Sequence, residues 1–190
     1  PLRCRWRDTK YAWNEDSGYE KSIEEIVAEV NCWPCDYIVI TGGEPMINPQ
    51  LPQLVQALKN SDIHITIETS GIAFIPDLPC DLMSISPKLS NTIPQDEKLR
   101  AIHEDSRLDL AVISELMDNY DYQLKFVVED ESDQLEIEKT LVRLGDVDYE
   151  KIMLMPQASN REEYIEKSQM VAELCKSTGF IFSQRLQVLL

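Results

Sequence analysis

The chain has 190 residues, the size of one domain with its own core. Hydrophobic residues make up 43% and charged residues 27%, which excludes a disordered or collagen-like chain. With 34 acidic and 18 basic residues the net charge is −16, a sign that opposes phosphate backbones and anionic membranes, so neither nucleic acid nor membrane is an expected partner.

Ser22 followed by Glu25 forms a capping box, and Ile23, Ile26, Val27 and Val30 make one apolar face, which predicts a helix over 22–31. Residues 36–41 are a β-branched run that stops at Gly42-Gly43. Leu54, Val55 and Leu58 have helical spacing within 51–60, and 64–68 alternate like a strand until Thr69-Ser70-Gly71. Another strand, 81–85, ends at Ser86-Pro87-Lys88. Residues 89–107 have no clean period and read as a long loop with some helix. Helices over 108–119, 132–144 and 161–177 then alternate with strands over 122–128, 151–155 and 180–185. This order predicts an α/β fold, a parallel sheet or barrel, in a single domain over 1–190.

Ligands in such folds bind outside the carboxyl ends of the strands, so the residues just past each strand should converge on one mouth. Glu44 after two glycines has the charge to hold a ligand ammonium, and Glu68, Thr69 and Ser70 offer acceptors and hydroxyls suited to a ribose. Plain turns and helix caps explain the same residues equally well. No apolar run reaches membrane-spanning length, and the basic residues 1–7 precede no apolar stretch, so a cytoplasmic location is expected. Five scattered cysteines suit reduced thiols. Cys32 and Cys35 have the spacing of a redox dithiol or half a metal site, but they precede a strand and close a helix, at the end opposite the mouth. His64 and His103 read as solvated or satisfied side chains, and Glu24-Glu25 and Glu162-Glu163 as structural acids at helix starts.

The run Cys4-Arg5-Trp6-Arg7-Asp8-Thr9-Lys10-Tyr11-Ala12-Trp13, together with Thr41 to Pro45, Asp81 to Asn91, Tyr122 to Val128, Leu154 to Gln157 and Arg185-Leu186, resembles the 7-carboxy-7-deazaguanine synthases, a family of radical S-adenosylmethionine enzymes. The resemblance spans nearly the whole chain and implies a partial (β/α)6 barrel. It also implies a [4Fe–4S] cluster, S-adenosylmethionine and Mg²⁺ as cofactors. The reaction implied is a radical ring contraction of 6-carboxy-5,6,7,8-tetrahydropterin to 7-carboxy-7-deazaguanine in queuosine-type base synthesis, a carbon–nitrogen lyase activity. Carried over by position, Cys4 matches a cluster ligand, Thr9 a Mg²⁺ ligand and Thr41 a pterin contact. Trp6, Arg7, Asp8, Gly43, Glu44, Ser86, Pro87, Lys88, Met155, Pro156, Gln157 and Ala158 match adenosylmethionine contacts, with Glu68 and Ser70 on the ribose side. No catalytic residue is assigned. A pterin substrate, an electron donor such as flavodoxin and a homodimeric partner complete the implied set.

The family's cluster motif is Cys-x-x-x-Cys-x-x-Cys, and Cys4 occupies its middle position. Its first position falls just before Pro1, and Arg7 stands at the third. A guanidinium is always protonated and has no lone pair for iron, so the chain as written is expected to be inactive. The chain is further expected to be incomplete at both ends, without the first barrel strand ahead of Cys4 and with Gln187 in place of a histidine. The strand at Asp36 should then keep an uncovered edge and promote association. Two other readings are a catalytically dead module that binds adenosylmethionine or a pterin, and a Cys32/Cys35 thiol redox protein.

Overall fold

Six parallel strands follow one another across one sheet in the computed structural model of the protein, which describes residues 2–6, 18–60 and 63–189. They are β1 (Tyr37–Ile40), β2 (His64–Thr69), β3 (Leu82–Ile85), β4 (Tyr122–Val128), β5 (Ile152–Pro156) and β6 (Ile181–Phe182), in sheet order 1-2-3-4-5-6. Sequential order with parallel pairing requires a crossover after every strand, which places all carboxyl ends on one side. Among the described residues β1 and β6 do not pair, so the sheet stays open, as expected of a partial barrel. A strand ahead of Cys4 would lie outside the described residues.

The helices are α1 (Ile23–Val30), α2 (Leu51–Lys59), α3 (Glu97–Ser106), α4 (Leu110–Asn119), α5 (Asp133–Leu144), α6 (Arg161–Thr178) and the short α7 (Leu186–Leu189). The capping box of α1 forms as predicted: Glu25 N donates to Ser22 Oγ at 3.2 Å and Ser22 N donates to the Glu25 carboxylate at 2.7 Å. One face of the sheet is covered by helices. There Ile65, Ile67, Met83, Ile85, Leu124, Phe126, Ile152 and Leu154 are buried against Val55 and Leu58 of α2, Ile113 and Leu116 of α4, Ile137 and Leu141 of α5, and Val171 of α6. Each such side chain stabilises the fold by roughly 1.5–3 kcal/mol relative to exposure. The alternate residues of the same strands, Thr66, Glu68, Gln123, Lys125, Met153 and Met155, are half-buried on the other face.

Two regions differ from the sequence reading. The segment 89–107 contains a full ten-residue helix, α3, because Asp96 caps it by accepting from Lys98 N and Leu99 N at 3.0 Å each. Its sequence shows no apolar stripe because charged residues surround it and only His103 is buried. The last strand is two residues long instead of six: after Ser183 N donates to Leu154 O the chain leaves the sheet and enters α7. Tyr37 and Val39 of β1 are 69% and 60% exposed, and among the described residues no strand pairs with the outer edge of β1.

Candidate active site

The loops past the strand ends enclose a cleft of about 480 Å³. Of the residues singled out in the sequence, Cys4, Trp6, Thr41, Gly43, Glu44, Glu68, Ser70, Ser86, Lys88 and Met155 line it. Arg7, Asp8 and Thr9 lie outside the described residues. Pro87, Pro156, Gln157 and Ala158 are not among the residues that line the cleft. Strand alternation explains two of them: Ser86 and Met155 face the cleft, so Pro87 and Pro156 turn into the protein. Gln157 is buried, its N donates to Val128 O at 2.7 Å and its side-chain oxygen accepts from Lys167 Nζ at 2.9 Å, so its amide serves the β5–α6 junction. Ala158 is 1% exposed.

Glu44 is buried beside the cleft and acts as a strap between two loops. Its Oε1 accepts from Thr69 Oγ1 at 2.7 Å and Met46 N at 3.2 Å, and its Oε2 accepts from Ser70 N at 2.8 Å and from the Ser70 hydroxyl. A carboxylate has about four lone-pair sites, so these four bonds engage the side chain with the chain's own donors. The glycine of the β2 loop is obligatory: Gly71 has φ +76°, and an added Cβ would meet Ile113 Cγ1 at 2.7 Å. It lets Ser70 stay in the cleft while the chain dives against the core.

Across the open face Lys125 of β4 reaches Glu68 of β2 in an ion pair of 2.5 Å, with side-chain exposures of 13% and 35%. Lys88 Nζ donates to Ser86 O at 2.8 Å and to Ser86 Oγ at 2.9 Å. Burial draws the Lys88 ammonium below the ordinary lysine range, against the pull of Cys4, Glu68 and Glu44 and with the push of Lys125. Arg185, 4% exposed, also lines the cleft. Three cations, Lys88, Lys125 and Arg185, thus face two carboxylates, Glu44 and Glu68, in a molecule whose overall charge is strongly negative. The arrangement suits a ligand with carboxylates and a diol.

Sequence reasoning left Lys125 without a role and missed Val127, Ser183 and Gln184, which also line the cleft. Val127 could have been found from the alternation of β4. The residues after β6 were hidden by placing that strand's end too late.

The Radical SAM superfamily model matches residues 1–119. A 7-carboxy-7-deazaguanine synthase of Halobacterium salinarum is 36% identical over 205 residues, covering 100% of this chain and 78% of that protein. Another, of Rhodopirellula baltica, is 31% identical and covers 98% of this chain and 74% of its own. The chain belongs to the 7-carboxy-7-deazaguanine synthase family. The crystal structure of QueE from Escherichia coli shares the fold, with a TM-score of 0.71 at 21% identity, 97% of this chain and 80% of that chain being covered. Membership makes the family's iron–sulfur cluster and S-adenosylmethionine the expected cofactors of this radical S-adenosylmethionine chain.

The side chains present do not fit the cluster. Cys4 is buried at the cleft and outside any disulfide, but Arg7 stands where a third thiolate is needed. Among the described residues no group of three or more His, Cys, Asp or Glu could hold a metal. Cys32 and Cys35 are exposed between α1 and β1, at the amino end of the strand and away from the cleft. Their thiols donate to Ala28 O and Tyr37 O. Among the described residues no helix is long and apolar enough to cross a membrane.

Proposed function

We propose that the cleft is the S-adenosylmethionine and pterin pocket of a 7-carboxy-7-deazaguanine synthase, and that this chain, with Arg7, binds these ligands without carrying out the radical reaction. The observation that carries the reading is the convergence of Cys4, Trp6, Thr41, Glu68, Ser70 and Lys88 on one cleft at the carboxyl ends of the strands. Conversion of 6-carboxy-5,6,7,8-tetrahydropterin to 7-carboxy-7-deazaguanine is the chemistry for which such a pocket is built.

Each part of the ligand has a partner in the cleft. Glu68 and the Ser70 hydroxyl suit the ribose diol. Lys88 suits a carboxylate, and the pterin also carries one. Trp6, Val127 and Met155 supply apolar surface for the adenine, and Thr41, also on the cleft lining, offers a hydroxyl to the pterin. What the pocket lacks is an electron entry point, because a guanidinium cannot bind iron.

Calorimetric titration with S-adenosylhomocysteine, which needs no reduction, tests the binding half. Saturable binding that weakens in Glu68→Gln supports the reading, and absence of binding overturns it. Anaerobic reconstitution with iron and sulfide tests the other half. We expect the unaltered chain to show no visible thiolate-to-iron absorbance, and Arg7→Cys in a chain that also carries the first motif cysteine to gain it. Full cluster absorbance with Arg7 in place would contradict the inert reading.

A further inference from the structure

We infer that Asn91 and Thr92 are positioning residues whose turn, past the end of β3, seats the Cys4-Arg5-Trp6 segment over the cleft. The inference deepens the reading of the cleft as an adenosylmethionine pocket, since that segment forms one of its walls.

The segment has no regular secondary structure, so something outside it must fix its course. Arg5 N donates to Thr92 O at 2.8 Å and Trp6 Nε1 donates to Asn91 O at 3.2 Å. The Arg5 guanidinium pairs with Glu129, just past β4. Two backbone carbonyls of a three-residue 3-10 turn, Ser90–Thr92, therefore grip consecutive residues beside Cys4.

A turn can grip only if it is itself held, and the side chains of the same two residues do that. Asn91 Nδ2 donates to Val127 O at 3.0 Å and to Asp133 Oδ2 at 2.8 Å. Asp133, the buried first residue of α5, also accepts from Glu129 N at 2.7 Å, so the Asn91 amide ties the turn to the β4–α5 junction. Thr92 is 1% exposed. Its hydroxyl donates to Leu89 O at 2.6 Å, which leaves its oxygen to accept from His103 Nε2 on α3 at 2.9 Å. Ser90 adds a third tie, with its N and hydroxyl both donating to Glu136 of α5. Inward-facing side chains anchor the turn and outward-facing carbonyls hold the segment, a division of labour that plain packing does not need.

The protein's own cysteines supply the test. Cys4 is 8% exposed and should react with iodoacetamide only when the segment lifts. Cys175 is also buried but sits in α6, and burial raises its thiol pKa. Burial likewise pushes the Cys80 thiol up to about 11. These two report unfolding of the body, and exposed Cys32 and Cys35 report reagent activity. Alkylation at fixed pH, followed residue by residue in peptide mass spectra, should show Cys4 reacting about tenfold faster in Asn91→Ala, the effect of losing two hydrogen bonds from a local opening equilibrium. Asn91→Asp, which sets a carboxylate against Asp133, should exceed it. Thr92→Val should act in the same direction at nearly constant volume, and Thr92→Ser, which keeps the hydroxyl, should return the parent rate. An unchanged Cys4 rate in both Asn91 variants overturns the inference, as does a rise of Cys4 and Cys175 together or a failure of Thr92→Ser to restore the rate. Since alkylation uses no adenosylmethionine, such a failure leaves the reading of the pocket standing, and failed titration of S-adenosylhomocysteine leaves this one standing.

Discussion

The two faces of the sheet put opposite chemistry on alternate residues of the same strands. In β2, β4 and β5 the residues under the helices, Ile65, Ile67, Leu124, Phe126, Ile152 and Leu154, are at most 1% exposed. On the open face β2 and β4 pair polar groups instead, Glu68 with Lys125, and Gln123 Nε2 donates to Ser84 Oγ of β3 at 2.8 Å, while β5 adds Met153 and Met155. Parallel strands are ordinarily apolar on both faces because both are covered. A parallel sheet with a polar alternate face therefore marks a surface shaped for a ligand, and the stability it forgoes is supplied by the other face.

That contrast breaks most visibly under the helices. Phe126→Ala removes the largest fully buried side chain among the described residues and should cost about 3–5 kcal/mol in denaturant unfolding. A loss under 1 kcal/mol would mean that the helix layer collapses into the gap. Gly71→Ala lies where the two faces meet. Its positive φ and the approach to Ile113 predict a loss of about 2–4 kcal/mol, measured the same way.

A subtler effect concerns His103, which is buried on α3 behind the Thr92 turn. Desolvation lowers its pKa, with Arg107 and Lys88 adding to the shift and Glu104 opposing it. The folded state therefore disfavours the charged ring. Stability on this account is whole above the unfolded value near 6.5 and falls as pH drops from there toward the lower folded pKa, where the unfolded chain holds more protons. Urea midpoints should decline from pH 7.5 to 5.5 less in His103→Gln than in the parent; parallel declines would remove His103 from the account.

How much of this was legible in the sequence depended on which force wrote each part. The helix-covered face repeats its apolar signal over six strands, so runs such as Ile65/Ile67 and Leu124/Phe126 gave the α/β order directly. The strand-end motifs placed eight of the ten named residues in the cleft, all but Cys4 and Trp6, because parallel geometry sends every carboxyl end the same way. Helix α3 was obscured because its start depends on one cap, Asp96, and not on periodicity. The strap role of Glu44 was invisible because Thr69 and Ser70 lie 25 and 26 residues away. The grip of Asn91 on the β4–α5 junction joins residues 36 and 42 apart, and no local pattern announces such a bond.

The smallest expected effect on stability falls on the open face and sharpens the contrast furthest. Lys125→Met keeps the length of the stem but leaves Glu68 without its ammonium, and since Glu68 is 35% exposed on its side chain, water can take over. The cost to folding should stay below about 1 kcal/mol, yet S-adenosylhomocysteine affinity should fall about tenfold, because an unheld carboxylate must be ordered again when the ribose binds. If the pair acts as a unit, Glu68→Gln combined with Lys125→Met should bind no worse than the weaker single variant. Additive losses would mean that Lys125 meets the ligand itself, and a large loss of stability would mean that the open face, like the one beneath the helices, was built to hold the fold.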